Sequence, residues 1–130
     1  MSPLRFSVLP GSFAVLRLAP GAPVPADLLA PPFHSVTRTP AETSVVCPEG
    51  TVPEGARAET GWVLLALAGP FPFELTGVLA SVLAPLAKAG VSIFALSTFD
   101  TDYVLVKSGK LADAVAALEA AGHERVEPGT

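Results

Sequence analysis

The seven apolar residues from Trp62 to Ala68, cut off by Gly69-Pro70, set the strongest limit on what this chain can fold into. An apolar run of that length, bounded by turn residues, predicts a strand covered on at least one face. The pattern then changes period. From Leu75 the apolar residues are Leu75, Val78, Leu79, Val82, Leu83 and Leu86, the i, i+3, i+4, i+7 stripe of a helix packed by one face. Gly90 is placed to end that helix, and Pro85 inside it removes one backbone bond, which predicts a mild kink. Val91 to Phe99 is rich in strand formers, Asp100-Thr101-Asp102 is a turn by composition, and Tyr103 to Lys107 is a second strand. Leu111, Val115 and Leu118 open another helical pattern that Gly122 closes, and Glu124 to Glu127 reads as a short edge strand. The order is β-α-β-β-α-β, the split βαβ or ferredoxin-like motif of the α+β class.

The first half reads as a weaker copy. Most of the fourteen prolines fall there, so its elements are short and separated by turns. Phe13 to Leu18 is a strand, Pro25 to Ala30 is at most a short helix, and Phe33 to Thr39 and Ser44 to Cys47 are two more strands. Laid over each other, Thr39-Pro40-Ala41-Glu42-Thr43-Ser44-Val45-Val46 falls on Thr98-Phe99-Asp100-Thr101-Asp102-Tyr103-Val104-Leu105, a faint internal repeat. The Pro- and Gly-rich stretch from Pro48 to Gly55 is a plausible junction. Two repeats are expected, an abbreviated one over 1–60 and a full one over 61–130.

Half the residues are hydrophobic and only 15% are charged, which suggests that some apolar surface is covered by a second copy of the chain. Eight Lys and Arg against a net charge of −4 leave no basic stripe for nucleic acid. The single cysteine, Cys47, can form neither an internal disulfide nor a zinc site and reads as a small buried residue. His34 and His123 are far apart, without ligand-like spacing. The first residues lack the apolar core of a signal peptide, and no apolar run approaches the ~20 residues that cross a bilayer, so a cytoplasmic chain with no membrane role is expected.

A helix that begins near Glu74 would offer free N–H groups and a positive dipole end, suited to a carboxylate, with Gly77 allowing close approach. The turn acids Asp100 and Asp102 could hold an ammonium group by charge-assisted bonds. Together they complement an amino acid, which carries one charge of each sign. The same residues fit a plainer reading, in which Gly77 serves helix–strand packing and the two acids only form a turn. Catalytic chemistry finds no support: Ser81, Ser97 and Thr98 have no obvious histidine partner, Gly-Pro-Phe-Pro-Phe lacks the ending of a phosphate loop, and no cofactor or metal motif is present. Phe71, Phe73, Phe94 and Phe99 read as core or interface residues.

Gly69-Pro70, Leu75-Thr76-Gly77-Val78, Ala84-Pro85-Leu86, Ser92-Ile93-Phe94 and Ser97-Thr98-Phe99-Asp100-Thr101-Asp102-Tyr103 together resemble the ACT domain. More narrowly, they are similar to the small bacterial tandem-ACT proteins related to the animal cytosolic arginine sensors. The resemblance covers about residues 10 to 127 and is diffuse in the first half, where Glu42 to Pro48 is the best match. It implies two ferredoxin-like repeats with antiparallel sheets and helices on one face, side-by-side pairing into a homodimer, and a non-enzymatic role in binding an amino acid at a repeat interface. By that similarity one chain offers Ser92 and Ile93, and the facing chain offers Pro72, Leu75, Thr98, Phe99, Thr101 and Asp102, with Asp102 on the cationic group. Leu75 stands where the arginine sensors have an acid, and Pro72 where they have glycine, which weakens arginine as the ligand and leaves room for a neutral or aromatic amino acid. The alternative is an ACT fold that has lost its ligand and only dimerises or docks on a partner.

Overall fold

The computed structural model describes residues 3–129. In chain order the elements are β1 (Arg5–Val8), β2 (Phe13–Leu18), β3 (Ser35–Arg38), β4 (Thr43–Pro48), β5 (Arg57–Leu67), α1 (Val78–Lys88), β6 (Ile93–Ser97), β7 (Asp102–Lys107), α2 (Leu111–Ala120) and β8 (Glu124–Arg125). They divide into two compact units, one over Gly11–Trp62 and the other combining the residues up to Pro10 with those from Val63 onward. The sequence places a division between residues 60 and 61, with everything before it in the first repeat. The chain's first strand instead belongs with the second unit.

In the first unit the strands run in the order β3-β4-β2-β5. The segment between β2 and β3 holds only a short 3-10 turn at Ala26–Leu28, where a full repeat would carry a helix. Leu16, Leu18, Val45, Cys47 and Leu28 close its core. β5 begins five residues earlier than the apolar run suggests, because it passes through a bulge. Phe13 faces Trp62, but Val15 faces Glu59, so β5 has one residue more than β2 over that stretch. Gly61 takes up the irregularity at φ +77°, and its N–H donates to Glu49 Oε1 at 2.9 Å.

The second unit carries the βαββαβ order, with an unforeseen addition. β6 pairs with β7, β7 with β5, β5 with β1, and β1 with β8. β1 lies antiparallel to β5 and parallel to β8, so one pair departs from the expected all-antiparallel sheet. Strand alternation explains the insertion: Phe6 is buried in the core with Leu4 and Val8 against it, while Arg5 is exposed. Leu65, Leu67, Val104 and Val106 present the same face of the sheet to Val78, Val82 and Leu86 of α1 and to Ala114 and Leu118 of α2. The i, i+4, i+8 spacing of the α1 residues is the stripe that drives its packing, each such side chain contributing roughly 1.5–3 kcal/mol.

Pro85 has no N–H to give the carbonyl of Ser81, one helical turn back. A histidine replaces it. His123 is buried, and its Nδ1 lies 3.0 Å from the N–H of Leu4, a group that can only donate. Nδ1 is therefore the acceptor, the proton sits on Nε2, and Nε2–H donates to the Ser81 carbonyl at 2.8 Å. One ring thus joins the start of the chain, α1 and the turn after α2. His34, by contrast, is exposed. Among the described residues no helix is long and apolar enough to cross a membrane.

Candidate functional site

The end of β5, the loop after it and the β6–β7 turn come together in the second unit. Gly69 makes this possible, because a Cβ there would meet the Asp100 carbonyl oxygen at 2.9 Å and Thr101 Cβ at 3.0 Å. The Thr101 hydroxyl donates to the Leu67 carbonyl at 2.9 Å, and the Phe71 N–H to the Asp100 carbonyl at 2.7 Å. The turn closes on itself. Thr98 N–H donates to the Thr101 carbonyl at 2.8 Å, and Thr101 N–H donates to Thr98 Oγ1 at 3.3 Å.

Between this turn and the loop lies a cleft of about 200 Å³. Pro72, Leu75, Thr98, Phe99, Thr101 and Asp102 all line it, with Phe71, Phe73, Val78, Ser97 and Asp100. Asp102 faces Ser97 across the strand pair, and the Ser97 hydroxyl donates to Asp102 Oδ1. That bond holds the half-buried side chain in place. The Thr98 hydroxyl is taken up by the Thr101 carbonyl within the turn and the Thr101 hydroxyl by the Leu67 carbonyl of β5, and both residues shape the cleft. Ser92 and Ile93 are not here. They lie at the opposite end of β6, about 13 Å along the strand from Ser97 at strand spacing. One chain cannot bring them to its own cleft.

The helix begins later than its stripe suggests. α1 starts at Val78, and Gly77 precedes it at φ +79°. The residues before it are held otherwise: Leu75 N–H bonds the Pro72 carbonyl at 3.0 Å in a turn. Glu74 therefore lies outside the helix. Gly77 offers no side-chain cap, and no acid sits in the first turn, so N–H groups of that turn point out without a side-chain partner next to Val78 on the cleft wall.

Phe73 and Phe99 are not core. They are 73% and 78% exposed, and their rings meet edge to face at 4.8 Å and 80° on the rim of the cleft. Composition gives no sign of this; only the Pro-Phe-Pro-Phe loop, too proline-rich for a strand or helix, hints that these rings stand on a loop. Ser97 is the other residue missed, and its signal is its place opposite Asp102 in a two-strand turn.

A model of the ACT domain family matches residues 57–120, and a second family model, describing an N-terminal domain, matches residues 11–55. The crystal structure of protein Atu0741 from Agobacterium tumefaciens is similar over 100% of this chain and 97% of that one, with 35% identity and a TM-score of 0.90. Among curated proteins, the human protein named CASTOR3P is 37% identical over 87 residues, and the bovine cytosolic arginine sensor for mTORC1 subunit 1 is 32% identical over 94 residues. Those matches cover 57% and 61% of this chain, and the chain spans 53% and 27% of the respective relatives.

Proposed function

Since residues 57–120 make this chain a member of the ACT domain family, we propose that it is a non-enzymatic, amino-acid-responsive regulatory module, cytoplasmic and homodimeric, with its ligand held where two copies meet. The observation that carries this reading is the cleft itself: a carboxylate fixed by Ser97 stands near an uncapped helix start, and no basic side chain lines the space. Asp102 takes the ligand's ammonium or other cationic group, and the first-turn N–H groups of α1 take its carboxylate. Ser92 and Ile93 come from the facing copy and close the site. Leu75, Phe73 and Phe99 surround the side chain with apolar surface, which favours an uncharged, apolar or aromatic amino acid over arginine.

Thermal-shift titration of the twenty amino acids tests this. At least one should raise the unfolding temperature saturably, since a ligand of the native state stabilises it by mass action. Asp102→Asn should abolish that rise while leaving the unliganded midpoint within about 2 °C. No response to any of the twenty at millimolar concentration would sink the sensing role.

The exposed Phe73–Phe99 pair favours a second reading, a docking module without a ligand. A stable dimer that ignores every amino acid, and that loses a protein partner on Phe99→Ala, would support it.

A further inference from the structure

The two units build the same turn twice. In the first, Thr39 N–H donates to the Glu42 carbonyl at 2.9 Å, and Glu42 N–H donates to Thr39 Oγ1 at 3.1 Å. This repeats the bonds between Thr98 and Thr101 fifty-nine residues later in the chain. The pair closing the turn is Arg38 with Thr43 in the first unit and Ser97 with Asp102 in the second. Each pair is bridged by a side-chain bond, Arg38 Nη1 donating to Thr43 Oγ1 at 3.1 Å and the Ser97 hydroxyl to Asp102.

The loops that approach these pairs also correspond. Ala22 and Phe71 are each the fourth residue past the end of the strand before them. In the second unit, the cleft lies between Phe71 and the Ser97–Asp102 pair. In the first unit the same interval is crossed by Arg38, whose Nη1 also donates to the Ala22 carbonyl at 2.8 Å. Thr43, the counterpart of the half-buried Asp102, is 0% exposed. One guanidinium nitrogen thus spends its two hydrogens on two acceptors from different elements.

We infer that the Arg38 guanidinium fills, in the first unit, the position that is an open cleft in the second, and that removing it uncovers a site for a small guanidinium ion. The chain then carries one exchangeable site and one held shut by its own cation. The filled position ties the loop after β2 to the β3–β4 turn, a task that Phe71 N–H and Thr101 perform in the second unit.

Chemical rescue in the full chain tests the assignment. Arg38→Ala should lower the thermal midpoint by about 3 °C more than Arg57→Ala, the loss of another exposed arginine. Ethylguanidinium chloride at about 10 mM should restore at least half of that loss, leave wild type and Arg57→Ala unmoved, and not be replaceable by sodium chloride at equal ionic strength. Equal responses from Arg38→Ala and Arg57→Ala would overturn it. Should Arg38→Ala fail to fold, side-chain nitrogen NMR of the wild type decides: Arg38 should show slowed rotation of its Nη groups, and averaging like that of Arg57 would refute the assignment. The corollary that a bound amino acid titrates at one per chain rests on the proposed function. The rescue does not, because it reads only the first unit, so either idea can fall while the other stands.

Discussion

Removing the His123 ring deletes two hydrogen bonds that hold separate parts of the second unit together. One partner, Leu4 N–H, begins the segment that enters as β1; the other, the Ser81 carbonyl, lost its helical donor to Pro85. Each bond is worth about 1 kcal/mol net, and the unfilled space left by a buried ring adds about as much again, so His123→Ala should cost about 3 kcal/mol. For a chain of this size that lowers the thermal midpoint by about 9 °C. The sharper test is a double-mutant cycle by urea denaturation. Pro85→Ala restores an N–H that can donate to the Ser81 carbonyl, so His123→Ala should cost about 1 kcal/mol less in that background. Changes intrinsic to position 85 occur in both halves of the cycle and cancel. Equal costs in the two backgrounds, or a total cost below about 1 kcal/mol, would refute the account of why this histidine is there.

Three further outcomes are expected. Gly69→Ala should destabilise by about 1–3 kcal/mol in denaturant titration, because the new methyl meets a backbone oxygen that cannot swing aside, and it should weaken any amino-acid response as the turn lifts from β5. Phe99→Ala should change unfolding stability by less than about 0.5 kcal/mol, as its ring is mostly exposed, yet reduce ligand-induced stabilisation several-fold; an unchanged ligand response would remove Phe99 from the site. Burial, and secondarily the negative charge of Asp27, push the Cys47 thiol above its usual 9.0. The unfolded chain ionises near that value and the folded one higher, so this stability is complete below pH 9.0 and is lost as pH rises through the folded value. Cys47→Ala should show a flatter alkaline decline than wild type, and parallel curves for the two would contradict it.

Much of the second unit could be read from its residues because its signals are local. The helical stripe and the strand–turn–strand of β6 and β7 depend on side chains near in sequence; the strands emerge within a residue or two, whereas the helix starts at Val78, three residues past the first apolar residue of its stripe, Leu75. The likeness of the segments at Thr39 and Thr98 showed in the sequence only as a faint repeat, while the Thr bonds that close both turns emerge from the structure. What escaped depends on distant partners. Arg5–Val8 is only four residues long, and nothing nearby says that it will slip between β5 and β8. The bulge at Gly61 reads as a strand end until β2 is laid against it. The role of His123 could not be foreseen without knowing that Pro85 leaves a carbonyl wanting 42 residues away. In the cleft, the loop and turn residues meet because Gly69 lets them, whereas Ser92 and Ile93 lie at the far end of β6, away from the cleft of their own chain.

The lodging of β1 between β5 and β8 has a consequence for how the chain is made. On the ribosome, Arg5–Val8 emerges before either neighbour exists. The first unit, contiguous from Gly11 to Trp62, can settle while translation continues, but Phe6 must stay unburied until Leu67 appears and, on its other side, Arg125. Completion of the second unit thus waits on the synthesis of β8, so a chain cut short before it would leave β1 without one of its two mates and prone to pair with a stranger.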